Sequence, residues 1–86
     1  MAAGYEFSKH ALERMQKWHV SEEMVVATLQ RRDGRIYDKE SQYFYQRVIQ
    51  WHNGRKHLLR VLVDESEVPV RIITLYHSSR YGRYIT

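Results

Sequence analysis

The stretch YFYQRVIQWHNGRKHLLRVLV, residues 43–63, alternates with a period of two on both sides of Asn53-Gly54. Such a period marks a strand, because successive side chains leave a strand on opposite faces. Asn-Gly between two such runs favours a two-residue type I′ hairpin turn, which needs left-handed backbone at both central positions. The reading is a ribbon joining residues 43–51 to residues 56–63. A two-residue turn fixes the register. It sets His52 opposite Arg55, Ile49 opposite Leu58, Arg47 opposite Arg60 and Tyr45 opposite Leu62, all on one side. The other side then carries Phe44, Val48, Leu59, Val61 and Val63, an apolar face for helices to cover.

Upstream of the ribbon the period is helical. Ser8 is an N-cap candidate, flanked by Phe7 and Leu12 as a hydrophobic staple, with Ala11, Leu12, Met15 and Trp18 as the stripe. The pattern breaks at Trp18-His19-Val20 and restarts at Ser21, with Glu22 and Glu23 in the first turn, where carboxylates suit the positive helix end. Met24, Val25, Val26 and Leu29 form the second stripe. A helix-turn-helix DNA reader fits poorly, since the recognition position would be acidic and Arg31 and Arg32 come only at the far end. A short strand over residues 35–38 precedes the ribbon, and a last one covers residues 68–77, with Pro69 near its start.

The expectation is one α+β domain over residues 1–86, with a helical pair at 7–32, a sheet at 34–77 and an Arg/Tyr tail at 78–86. Its order, ααββββ, implies two helices on one face of a mainly antiparallel four-stranded sheet whose other face stays partly open.

Composition narrows the class. A chain of 86 residues with 43% apolar and 28% charged residues suits one globular domain. No run approaches the roughly 18 apolar residues of a membrane span, and residues 1–7 lack the pattern of a signal peptide. With no cysteine there is neither a disulfide nor a thiolate metal site, and the expected home is the cytoplasm. The five histidines include no HxxxH pair, so no metal is expected; no glycine-rich phosphate loop or dinucleotide fingerprint is present either, and no cofactor is implied.

The net charge of +4 attracts polyanions, and its placement says more. After Glu67 there is no acid, while Arg71, Arg80 and Arg83 are interleaved with Tyr76, Tyr81 and Tyr84. Guanidinium beside aromatic rings suits single-stranded RNA, whose phosphates take the charge while its bases stack. On the ribbon, Arg47 opposite Arg60 puts like charges together, which is unfavourable unless an anion lies between them; with Tyr45 alongside, the pair would clamp a phosphate. On the first helix, His10 and Arg14 are four residues apart and share a face. An imidazole beside a fixed cation could remove a ribose 2′-hydroxyl proton while the cation holds the adjacent phosphate, although solvated His–Arg pairs are also common without function. On the last strand Thr74 and Tyr76 share one face and His77 the other; the length of the preceding turn decides which joins Arg60, and both registers stay open.

The string Ser8-Lys9-His10-Ala11-Leu12-Glu13-Arg14-Met15, with Val20-Ser21-Glu22-Glu23 and Ile73-Thr74-Leu75-Tyr76, resembles the small bacterial domain-of-unknown-function family 4258. That family resembles a branch of the barnase, EndoU, colicin and RelE superfamily. The resemblance implies a toxin-type ribonuclease, working without metal through 2′-OH attack to a cyclic phosphate. It places His10 and Arg14 in the family's helix motif and Thr74 and Tyr76 in its last strand, with Arg60 as the strand cation. Joined to the reading of the residues themselves, the expected catalytic set is His10, Arg14, Arg60, Thr74, Tyr76 and His77, with Arg47, Tyr45, Arg80, Tyr81 and Arg83 holding RNA. RNA, including mRNA on the ribosome, would be the partner, together with a cognate acidic antitoxin. The chain departs from the family pattern in its Trp18-His19-Val20 turn and its Arg-Tyr tail. The alternative is a non-catalytic module that grips RNA or a protein with the same basic face.

Overall fold

The computed structural model describes residues 4–80. In chain order these form β1 (Tyr5–Phe7), α1 (Lys9–Trp18), α2 (Glu22–Gln30), β2 (Gly34–Lys39), β3 (Gln42–Gln50), β4 (Lys56–Asp64) and β5 (Val70–Ser78). Both helices start at the serines that their sequence marks. Ser8 Oγ accepts the Ala11 N–H at 3.0 Å, and Ser21 Oγ accepts that of Met24 at 3.1 Å, each satisfying one of the donors a helix start leaves unpaired. His19 ends α1 in the left-handed region, with φ 55°.

The sheet has five strands in the order β1-β5-β4-β3-β2. This corrects the expected four-stranded antiparallel arrangement: Tyr5, Glu6 and Phe7 lie parallel to β5, against Val70, Arg71 and Ile72. The order is βααββββ and the sheet is mixed. A strand of three residues shows no readable period, and its partner comes from the far end of the chain, so nothing local announced it. Phe7 is thus a strand residue, and Leu12, 49% exposed, stands outside the core instead of stapling the helix.

The hairpin register is also corrected. Gly54 N–H bonds to Trp51 O at 3.0 Å, Trp51 N–H bonds to Arg55 O at 2.7 Å, and Gly54 has φ 82°. The loop therefore spans His52, Asn53 and Gly54, the three-residue form in which glycine takes the left-handed position. One residue more in the loop moves every pairing by one. Gln46 now opposes Arg60, Arg47 opposes Leu59, and Ile49 opposes His57. On the other side of β4 the register shifts between Leu62 and Val63, which pair with Thr74 and Ile72 and leave Ile73 as a bulge.

These two irregularities set the faces. Leu59, Val61, Val63, Ile72 and Leu75 point toward the helices and pack with Ala11, Met15, Val20, Val25 and Leu29. Phe44 and Val48, expected on that face, lie on the other, because they oppose Leu62 and Leu58.

Candidate phosphate site

The site grows from the outer edge of β5. β1 pairs with this edge only from Val70 to Ile72, and further along α1 takes over. Ser8 Oγ donates to Ile73 O, and Arg14 Nη1 donates to Leu75 O at 2.9 Å. The same guanidinium donates through Nε to His10 Nε2 at 3.2 Å. Its carbon lies 5.1 Å from the Trp18 ring centre and 4.7 Å from that of Tyr76. The expected His10–Arg14 neighbourhood on α1 therefore exists, and Arg14 carries it around the sheet edge to Tyr76. In accepting from Arg14, His10 uses the Nε2 lone pair, so its neutral form carries its proton on Nδ1.

On the face away from the helices, Arg60 stands directly opposite Tyr76. The Arg60 guanidinium lies 4.1 Å from the Phe44 ring centre, and its Nε donates to Gln46 Oε1 at 3.1 Å. Phe44 and Tyr76 are 6.1 Å apart between ring centres. A cleft lined by Phe44, Arg60, Tyr76, His77 and Ser78 is followed along the edge by one lined by His10, Glu13, Arg14, Lys17 and Trp18. Tyr76 thus has the Arg14 guanidinium against its ring at the sheet edge and Arg60 as its cross-strand partner, with both arginines near one cleft and His10 bonded to Arg14. Thr74 belongs to the same face; it is 4% exposed, and its hydroxyl has no hydrogen-bond partner. The register left open by the sequence is settled in favour of Thr74 and Tyr76 as the companions of Arg60.

Residues 7–77 match the model of a family described as a domain of unknown function, DUF4258. The chain belongs to the DUF4258 family. The matched span contains His10, Arg14, Arg60, Thr74 and Tyr76. No curated protein and no solved structure matches the chain.

The remaining expected site residues of this DUF4258 domain fall elsewhere. Arg47 and Tyr45 share the helix-side face, so the Arg47–Arg60 clamp does not form; the longer hairpin loop puts the two arginines on opposite faces. Arg47 lines a groove with Ser21, Glu23, Met24 and His52. The Tyr45 hydroxyl is bonded to Glu65, which also pairs with Arg35 at 2.7 Å, a tie between β2, β3 and the β4–β5 turn. The His77 side chain is on the helix side, where its Nδ1 lies 3.0 Å from that of His57. Burial depresses the basicity of both imidazoles; nearby Arg55 adds to this for His57, and His57 and His52 add to it for His77. Arg80 N–H bonds to Ser78 Oγ at 3.0 Å, at the end of β5. Tyr81 and Arg83 lie outside the described residues.

Sequence reasoning missed Phe44, Gln46 and Trp18. The signal for Trp18 was present, since it lies four residues beyond Arg14 on the same helix face. Phe44 and Gln46 depended on the length of the hairpin loop. Among the described residues, no group of three or more His, Asp and Glu is placed to hold a metal ion, and no helix is long and apolar enough to cross a membrane.

Proposed function

We propose that this DUF4258 domain holds a phosphate of single-stranded RNA between Arg14 and Arg60 and cleaves the chain there, as a small RelE- or barnase-like toxin-type ribonuclease. The observation that carries this reading is the placement of Tyr76 between Arg14, whose guanidinium lies against its ring, and Arg60, its cross-strand partner, with His10 bonded to Arg14. Guanidinium donors match the oxygens of a phosphate and neutralise the charge that grows on it in the transition state. Phe44 and Tyr76 supply ring faces for the flanking bases, which is how single strands are commonly held.

In this reaction His10 takes the proton of the 2′-hydroxyl, O2′ bonds to phosphorus, and the bond from phosphorus to O5′ breaks. Tyr76 gives its phenolic proton to the leaving O5′, so the products are a 2′,3′-cyclic phosphate and a 5′-hydroxyl. Solvent then returns the proton from His10 to Tyr76. For His10 to act, the 2′-hydroxyl must take the place of the Arg14 Nε–H at Nε2; an arriving phosphate competes for that Nε–H while Nη1 keeps its bond to Leu75 O.

The test is incubation of purified protein with single-stranded and ribosome-bound RNA, followed by end-group analysis. Cyclic phosphate ends that vanish with His10→Ala support cleavage, and intact RNA under all conditions ends it. The engaged Nε2 of His10 favours a second reading, a module that binds RNA without cutting it. It predicts affinity lost with Arg14→Ala or Arg60→Ala and no products at any protein concentration.

A further inference from the structure

Four of the chain's histidines and both its tryptophans meet at the hairpin end of the helix-side face. The His57 and His77 rings lie nearly parallel, 16° apart, with their Nδ1 atoms 3.0 Å from each other. Trp51 stacks on both, at 4.9 Å and 4.3 Å between ring centres. Trp18 meets His77 edge-on at 4.6 Å, and its carbonyl is bonded to His52 Nε2 at 2.8 Å. His52 in turn meets His19 at 6.1 Å. Trp18 also faces Arg14. An unbroken line of contacts therefore runs from His57 through His77 and Trp18 to Arg14, and the cleavage scheme uses only its Arg14 end.

Two nitrogens that face each other at this distance must share one proton, one donating and one accepting. A neutral pair satisfies this. So does a singly protonated pair, in which the bond becomes charge-assisted. A doubly protonated pair has two N–H groups and two positive charges facing each other, and the bond is lost. No acid opposes this, since among the described residues no carboxylate is hydrogen-bonded or ion-paired to either ring. The charged neighbours are Arg55 and His52 from the hairpin loop and Arg14 from α1, through Trp18.

We infer that His57 and His77 are positioning residues for Arg14: their shared proton holds Trp18 in place, and acid, by protonating both, unseats Trp18 and with it the guanidinium at Tyr76. The coupling concerns the geometry of Arg14, and its effect on RNA rests on the phosphate reading above. His57 is 8% exposed, so the second proton enters a site where solvent does little to screen it.

The experiment follows the full chain by NMR from neutral pH down to about pH 5, reading the imidazole nitrogens, the two indole N–H signals and the Arg14 Nε–H. Binding of a short fluorescein-labelled oligoribonucleotide is measured over the same range. The wild type should show the histidine, Trp18 and Arg14 signals moving together below neutrality, with RNA affinity falling roughly tenfold more than in the variant His57→Asn. Asparagine places an amide where Nδ1 stands and can donate or accept by flipping, so this variant should keep Trp18 and Arg14 fixed across the range. His77→Asn gives the same comparison should the first variant fold poorly. An Arg14 signal that titrates identically in wild type and in either variant overturns the inference. So does Zn²⁺ binding that both variants abolish, because the pair would then be a metal site. If the NMR coupling is found but no RNA binds at any pH, the positioning stands and the phosphate reading falls.

Discussion

Arg14 donates to the carbonyl of Leu75 at 2.9 Å, so a helix side chain occupies the place that a neighbouring strand would take on β5. The bond anchors the cation to the backbone of the strand that carries Tyr76, and it gives a long side chain one defined course around the sheet edge. A fixed guanidinium spends less conformational entropy in binding an anion than a free one does.

Substitution at this position should separate charge from geometry. Arg14→Lys keeps the charge but gathers its donors on one nitrogen, which cannot reach His10 and Leu75 as Nε and Nη1 do, so it should weaken RNA binding nearly as much as Arg14→Ala. Both should lower stability by about 1–2 kcal/mol, since a partly buried carbonyl loses a charged donor. Urea unfolding and fluorescence titration with labelled RNA check the two effects.

Thr74 offers a test of opposite sign. Its hydroxyl is buried without a partner, a cost that valine, of nearly the same shape, removes. Thr74→Val should therefore be neutral or stabilise the protein by about 1 kcal/mol in thermal or urea unfolding. If RNA binding or cleavage falls in the same variant, the hydroxyl serves the substrate.

Stability should depend on pH through His57 and His77. In the unfolded chain each titrates near 6.5, whereas in the folded protein burial holds both lower. Below pH 6.5 the unfolded chain thus binds more protons than the folded one, and the unfolding free energy falls as pH falls. Above that value these groups add no slope. Urea midpoints measured from about pH 8 to about pH 5 should be level and then decline, and the decline should shrink in the double variant His57→Asn, His77→Asn.

The hairpin glycine should resist substitution. Gly54 has φ 82° with open space around its Cα, so a side chain meets no clash and only the backbone preference opposes it. Gly54→Ala should cost roughly 1 kcal/mol, while Gly54→Asn should cost less, since asparagine tolerates left-handed backbone best among the other residues.

Much of this architecture is written locally. Ser8 and Ser21 mark both helix starts because capping is a short-range bond, and the strands around Asn53-Gly54 show their period directly. His10 and Arg14 were readable as a pair because helix spacing needs no tertiary knowledge. What escaped depended on single-residue counts or on distant partners. The three-residue loop parted Arg47 from Arg60, the bulge at Ile73 decided which β5 residues meet Arg60, and β1 exists only because β5 lies beside it. The pairing of His57 with His77 likewise needed the register of β4 against β5 before it could be seen.

The two borders of the sheet are treated unequally. β5 is sealed by β1, Ser8 and Arg14, while β2 presents Ile36 and Tyr37 to solvent, 39% and 60% exposed. An unsealed border invites another chain to add a strand. Arg14 covers Leu75 O on the β5 border, so Arg14→Ala should leave that border less guarded, and a molecule with two open borders can grow into a fibre where one with a single border stops at a pair. A solubility penalty at Arg14 would therefore mix with any effect on RNA, and variants at Arg60 or Tyr76 test the proposed phosphate contact without removing the bond to Leu75 O.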